Sequence, residues 1–254
     1  MKAFTYWETL PGKRVPPYVA LGIVSMKIAY GENFVLLNEE NVSEYISGCE
    51  EKKWAFSKYN SNLTPEMAAV VAKSDYVRMR FVAEHGGFWN DADTVVLTDM
   101  LRRIEIQGDE LHWHSEAVFA ARRGNPILSD VAENMLVSEF QTWGNPGGIK
   151  DVLKGGKVVP IPFKYVDPGV VPVYSFRNSE IILDEEISVS DFLVNRDVCL
   201  LKLYNTDFGA RKVGQMSVAD FLDSGLMLSR IFLSINSDKR FWASEVGKIF
   251  SNVA

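Results

Sequence analysis

Between Met67 and Leu97 the chain runs from a helical apolar pattern through Gly86-Gly87 into Phe88–Asn90, then Asp91-Ala92-Asp93, then the β-prone Thr94–Leu97. Few folds accommodate that order. A glycine pair is a stop signal that lets the chain leave a helix through left-handed backbone. Short β-prone runs on either side of an acidic pair then put the carboxylates at a strand end, where α/β proteins collect their ligands. Asp91 and Asp93 are two positions apart, so on extended backbone both side chains point the same way and can face one hard cation. Mg²⁺ or Mn²⁺ binds through one or two carboxylates and keeps its other positions for water and phosphate oxygens, which suits a diphosphate substrate.

The remaining text agrees with an α/β class. Ala3–Trp7 reads as a strand, Pro11 to Pro17 as a turn, and Tyr18–Tyr30 as a helix with Val19, Ile23, Met26 and Tyr30 on one stripe. Phe34–Leu37 is the next strand, with a short helix expected from Val42. Thr64 as N-cap and Pro65 at N1 open a helix that ends at His85, with Ser74 and Asp75 offering a second cap inside it. Ala117–Ala121, Val158–Ile161 and Val198–Tyr204 are further strands, and Pro126–Phe140 is a helix with Ile127, Val131, Met135 and Leu136 facing inward. From Gln141 the text loosens through the turn-rich WGNPGG at 143–148 and a run of prolines, and Leu226–Phe250 is mostly helical. No repeat or linker divides the chain. One domain over 1–254 is expected: a Rossmann-like nucleotide- and metal-binding half at 1–140, and a looser, partly helical remainder at 141–254.

Charge and composition remove several classes of partner. Across 254 residues the net charge is −6, so a basic face tracking a phosphate backbone is not expected and nucleic acid is excluded as a partner. No apolar run approaches the ~18 residues that cross a bilayer, and Met1–Leu10 lacks a basic stretch followed by an apolar one. A soluble, cytoplasmic protein is the expectation. Peripheral contact with the inner face of a membrane is open through Leu226–Phe250, where Met227, Ile231, Phe232 and Ile235 form an apolar stripe beside Arg230, Lys239, Arg240 and Lys248. Core packing is the competing use of that stripe. Cys49 and Cys199 stand far apart with no C-x-x-C, which predicts buried free thiols.

Lys73–Leu97 (KSDYVRMRFVAEHGGFWNDADTVVL) resembles the D-x-D sugar transferases of glycosyltransferase family 32 and the capsular polysaccharide synthesis kind. Ser74, Asp75, Arg78, Gly86, Gly87, Asp91 and Asp93 match that pattern in order and spacing, and Thr5–Trp7 with its following turn resembles the family's first strand. The likeness implies a GT-A fold, a nucleotide-diphosphate sugar donor, usually a UDP-sugar, a glycan or lipid-linked glycan acceptor, Mn²⁺ or Mg²⁺, and retention at the anomeric carbon. Carried over residue by residue, it makes Asp91 and Asp93 the metal-holding catalytic pair, gives Asp75 a ribose or base hydrogen bond, and gives Arg78 a diphosphate contact. Tyr6 and Trp7, at the end of the first strand, would offer one ring to stack a base, plain packing being the other use of an aromatic there. In the late strand, Leu201–Asn205 (LKLYN), the family commonly carries a His that touches the metal; here Lys202 stands nearby, and Lys202 and Asn205 are expected at the donor.

Other readings fit parts of the same residues. D-A-D-T-V-V also suits a haloacid dehalogenase-like phosphatase with Asp91 as nucleophile, but that class wants a buried apolar strand before the first Asp and a late acidic motif. A glycoside hydrolase would need its carboxylates on either side of a bond, which two neighbouring Asp residues do not give. A non-catalytic nucleotide- or carbohydrate-binding protein on the same fold is the third. His112 and His114 around Trp113 have the alternation of a strand but no third ligand to complete a metal set.

Overall fold

The computed structural model describes residues 1–46, 63–138, 151, 153–155, 157–166, 181–203, 205 and 213–250. It is of the α/β class, and its contacts group the chain into two compact units built from interleaved segments. The first unit comprises Met1–Leu10, Val35–Asn90 and Ile104–Ile161; the second comprises Pro11–Phe34, Asp91–Arg103 and Pro162–Ala254. Neither coincides with the first 140 residues. The WGNPGG turn and Cys49 lie outside the described residues.

The first unit is organised on a six-stranded sheet. Its strands are β1 (Ala3–Tyr6), β2 (Phe34–Leu37), β3 (Gly87–Asn90), β5 (Leu111–Ser115), β6 (Val118–Ala121) and β7 (Val158–Pro160), in the order β2-β1-β3-β6-β5-β7. β1 runs parallel to β3 and β5 parallel to β7, while β3–β6 and β6–β5 are antiparallel, so the sheet is mixed. β1 and β3 are buried along their whole length, including the polar Thr5 and Asn90. Helices of this unit among the described residues include α2 (Val42–Tyr45), α3 (Pro65–His85) and α4 (Pro126–Ser138). α3 and α4 pack together, and Phe81, Val82, Val131 and Met135 join Phe4, Trp89 and Phe119 in the core.

α3 is one helix. Thr64 accepts from the Met67 amide as expected, but Ser74 and Asp75 start no second segment. Asp75 instead turns its carboxylate to Arg78, on the next turn of the same face, leaving the helical backbone bonds intact. The helix ends at Gly86 with φ 69°, and Gly87 follows with φ 124°. A Cβ on Gly87 would lie 2.8 Å from the Lys2 carbonyl and collide with the Phe4 ring, so the β1–β3 approach itself demands glycine there.

The second unit is built around α1 (Pro17–Tyr30), which is buried along most of its length. α1 lies over β4 (Thr94–Val96), which pairs antiparallel with β8 (Leu200–Lys202) in the register Thr94↔Lys202, Val95↔Leu201 and Val96↔Leu200. The strand expected over Val198–Tyr204 is shorter because β4 offers only three partners. Further helices of this unit among the described residues include α5 (Val189–Phe192), α6 (Val218–Asp223), α7 (Met227–Ile235) and α8 (Lys239–Ile249). The last two break the expected helical stretch at Asp238, whose carboxylate caps α8 by accepting from the Arg240 amide.

Met227, Ile231 and Phe232 are buried, Ile235 is half-buried, and Phe232 meets Trp242 edge-on at 5.5 Å, so the apolar stripe of α7 is mostly core. That packing removes the feature on which membrane contact rested. Among the described residues no helix is long and apolar enough to cross a membrane. Cys199 is a buried free thiol, as expected.

Candidate active site

The acidic pair belongs to the second unit. The chain bends at Ala92 and Asp93, and residues 91–93 belong to no strand, so strand alternation is not what aims the two carboxylates. They converge nonetheless, because a third group gathers them. Lys202, at the end of β8 and in register with Thr94, sends its ammonium to both: Nζ lies 2.9 Å from Asp91 Oδ2 and also bonds Asp93 Oδ1. The backbone supports the same geometry, since the Asp93 carbonyl accepts from the Leu203 amide at 2.8 Å and the Asp93 carboxylate accepts from the Asn205 amide. A lysine interrupting an apolar strand is either held by an anion or reaches out to water; here the anion is the acidic pair itself. The side chains of Asp91, Asp93 and Lys202 keep 21%, 9% and 17% of their exposure, so the cluster is sheltered yet reachable.

α1 supplies the floor of this cluster. A Cβ on Gly22 would stand 2.8 Å from the Thr94 carbonyl oxygen and 3.1 Å from that of Ala92, so only glycine lets the helix lie against the acidic turn. One turn on, Ser25 donates to the Gly22 carbonyl at 2.6 Å and accepts from the Val96 amide at 2.9 Å. One turn back, the Tyr18 hydroxyl donates to Asn205 Oδ1. Tyr18, Gly22 and Ser25 therefore form one face that positions the site, and sequence reasoning missed all three. A Gly and a Ser at helical spacing within an apolar helix was the available signal.

Electrostatically the cluster is two carboxylates and one ammonium, a local charge of −1. Burial works to lower the Lys202 pKa, but attraction to Asp91 and then Asp93, with the hydrogen bonds to both, outweighs it, so the pKa lies above the usual lysine value and the ammonium stays charged at neutral pH. The two carboxylates converge on one point, and that point holds the ammonium. A divalent ion cannot share it, so the donor set as arranged does not fit Mn²⁺ or Mg²⁺. Among the described residues no group of three or more His, Cys, Asp and Glu side chains could hold a metal ion. His112 pairs instead with Glu110 at 3.3 Å, and burial lowers the pKa of His114.

The other expected site residues belong to the first unit. Tyr6 is buried at the end of β1, its hydroxyl donating to Glu8, which Lys73 also binds at 2.9 Å. Trp7 is half-buried, with Nε1 on Thr9 Oγ1 at 3.0 Å. Asp75 and Arg78 are both buried, so their pair is not the surface ion pair that was the alternative to a ligand role. Arg78 also donates to the Glu116 carbonyl at 3.0 Å, which ties α3 to the β5–β6 connection.

Residues 4–117, which contain Asp75, Arg78, Asp91 and Asp93, match a family described as capsular polysaccharide synthesis protein. The resemblance read from Lys73–Leu97 is borne out over that stretch. Among curated proteins none matches the chain. Among solved structures, a galactosyltransferase, LgtC, in complex with donor and acceptor sugar analogues is similar over 96% of this chain and 100% of its own, at 11% identity and a TM-score of 0.47. The glycosyltransferase GlyE of Streptococcus pneumoniae TIGR4 is similar over 98% of this chain and 64% of its own, at 13% identity and a TM-score of 0.45.

Proposed function

We propose that the chain is a GT-A-type retaining glycosyltransferase that moves a sugar from a nucleotide-diphosphate donor, a UDP-sugar, to a glycan or lipid-linked glycan. The observation that carries this reading is the sheltered cluster of Asp91, Asp93 and Lys202, whose acidic members lie within the stretch matching a polysaccharide-synthesis family. Carboxylates accept hydrogen bonds from sugar hydroxyls, and an ammonium meets phosphate oxygens as a compact charge. Asp91 and Asp93 would orient the sugar, and Lys202 would exchange a carboxylate contact for a phosphate oxygen as charge develops on the leaving diphosphate. In the first unit, Asp75 paired with Arg78 holds α3 in place.

The bond between the anomeric carbon and the phosphate oxygen breaks while the acceptor oxygen bonds the same carbon on the same face. The departing phosphate takes the acceptor's hydroxyl proton, so no histidine base is required. The steps above use the chain's own groups, because Lys202 stands where a divalent ion would be held.

A panel of nucleotide sugars with oligosaccharide acceptors, read by nucleoside diphosphate release, tests the reading. Release from UDP-sugars that falls by orders of magnitude in Asp93→Asn is the expected result. Hydrolysis of simple phosphate monoesters without any nucleotide-sugar turnover would establish the phosphatase alternative in its place.

A further inference from the structure

We propose that Lys202 is the resident cation of the acidic pair and excludes divalent metal from it. Three observations converge. The ammonium contacts one oxygen of each carboxylate, 2.9 Å from Asp91 Oδ2 and bonded to Asp93 Oδ1, so it stands at the point a bridging ion would take. Lys202 is not a flexible surface visitor: it ends a paired strand, in register with Thr94, one residue from Asp93. Asp93 is further committed, with its second oxygen accepting from the Asn205 amide, whose side chain is in turn held by Tyr18.

The charge arithmetic favours exclusion. A divalent ion entering the pair must displace the ammonium or sit beside it, and two cations about 4 Å apart repel strongly in a sheltered site. The tethered ammonium needs no capture from solution and loses little freedom on binding, so it competes at high local concentration. It also does the structural work a metal would do, tying the turn after β3 to the end of β8.

The test reads ion binding directly and so stands apart from the transfer reading. Mn²⁺ is titrated into the full chain and followed by electron paramagnetic resonance, which distinguishes free from bound ion, for wild type, Lys202→Ala and Lys202→Met. Wild type is expected to leave Mn²⁺ free up to millimolar concentration, and each variant to bind it at least ~10-fold more tightly, because the pair then lacks its counter-ion. Thermal unfolding gives a second readout: Mn²⁺ should raise the midpoint of the variants and not of wild type. Micromolar Mn²⁺ binding by wild type, lost in Asp93→Asn, overturns the proposal, as does variant affinity no better than wild type. Should neither lysine variant fold, the wild-type titration alone decides.

Discussion

Replacing Gly22 by alanine separates a positioning glycine from an incidental one. In a helix interior, Gly→Ala ordinarily stabilises by about 0.5–1 kcal/mol. At Gly22 the new Cβ would stand 2.8 Å from the Thr94 carbonyl oxygen, about 0.6 Å inside ordinary contact, and 3.1 Å from that of Ala92. Both obstacles are backbone, so neither can rotate away, and overpacking of this kind costs about 1–3 kcal/mol. The net is a destabilisation of up to about 2.5 kcal/mol, which for a chain of this size lowers Tm by up to about 10 °C. Gly247, in α8, has open space where a Cβ would stand, with nothing within 4 Å, so Gly247→Ala should raise Tm by about 1–4 °C. The opposite signs are read by urea denaturation and calorimetry on the two variants. Because the Ala92 carbonyl lies between Asp91 and Asp93 in the chain, Gly22→Ala should also cut transferase kcat/KM by about 10-fold. A Gly22→Ala protein stabilised as much as Gly247→Ala would refute the claim that α1 is pressed against the acidic turn.

Asp75→Ala should cost about 3–5 kcal/mol in urea denaturation, because it leaves the buried Arg78 guanidinium without its carboxylate; a loss below about 1 kcal/mol would contradict that pairing. Tyr30→Phe should flatten the alkaline limb of the stability curve. Burial, followed by the nearby charges of Asp99 and Cys199, holds the Tyr30 phenol well above its usual pKa. Above the unfolded value of about 10 the unfolded chain loses this proton while the folded chain keeps it, so wild-type stability falls with rising pH by about 1.4 kcal/mol per unit from this group alone. Equal alkaline slopes for the two proteins, measured by chemical denaturation from pH 9 to 11, would sink the assignment.

The stretch from Thr64 to Leu97 is the most legible part of the chain because its signals are local. Thr64-Pro65 opens α3, Gly86-Gly87 closes it, and the buried strands on either side read directly from apolar runs. What escapes is what depends on pairing at long range. Nothing in the text near Asp91 says that residue 202 delivers an ammonium to it, since that contact exists only through the β4–β8 register. The lysine stands out as a charge interrupting an apolar strand, which identifies the residue but not its partner. The apolar stripe of α7 carries the opposite ambiguity: periodicity gives a face, and only Trp242 and the neighbouring helices show what covers it. Asp75 reads as a cap because a polar pair within a helix offers the same letters whether it ends a segment or forms a buried ion pair.

Nucleoside diphosphate release from a UDP-sugar with acceptor present, measured in excess chelator for wild type, Asp93→Asn and Lys202→Ala, tests the role of the cluster most directly. The Asp91–Asp93–Lys202 arrangement predicts that wild type keeps its turnover in chelator while both variants lose about 100-fold or more in kcat. Wild-type release abolished by chelator and restored by Mn²⁺, or variants that turn over at the wild-type rate, would contradict it.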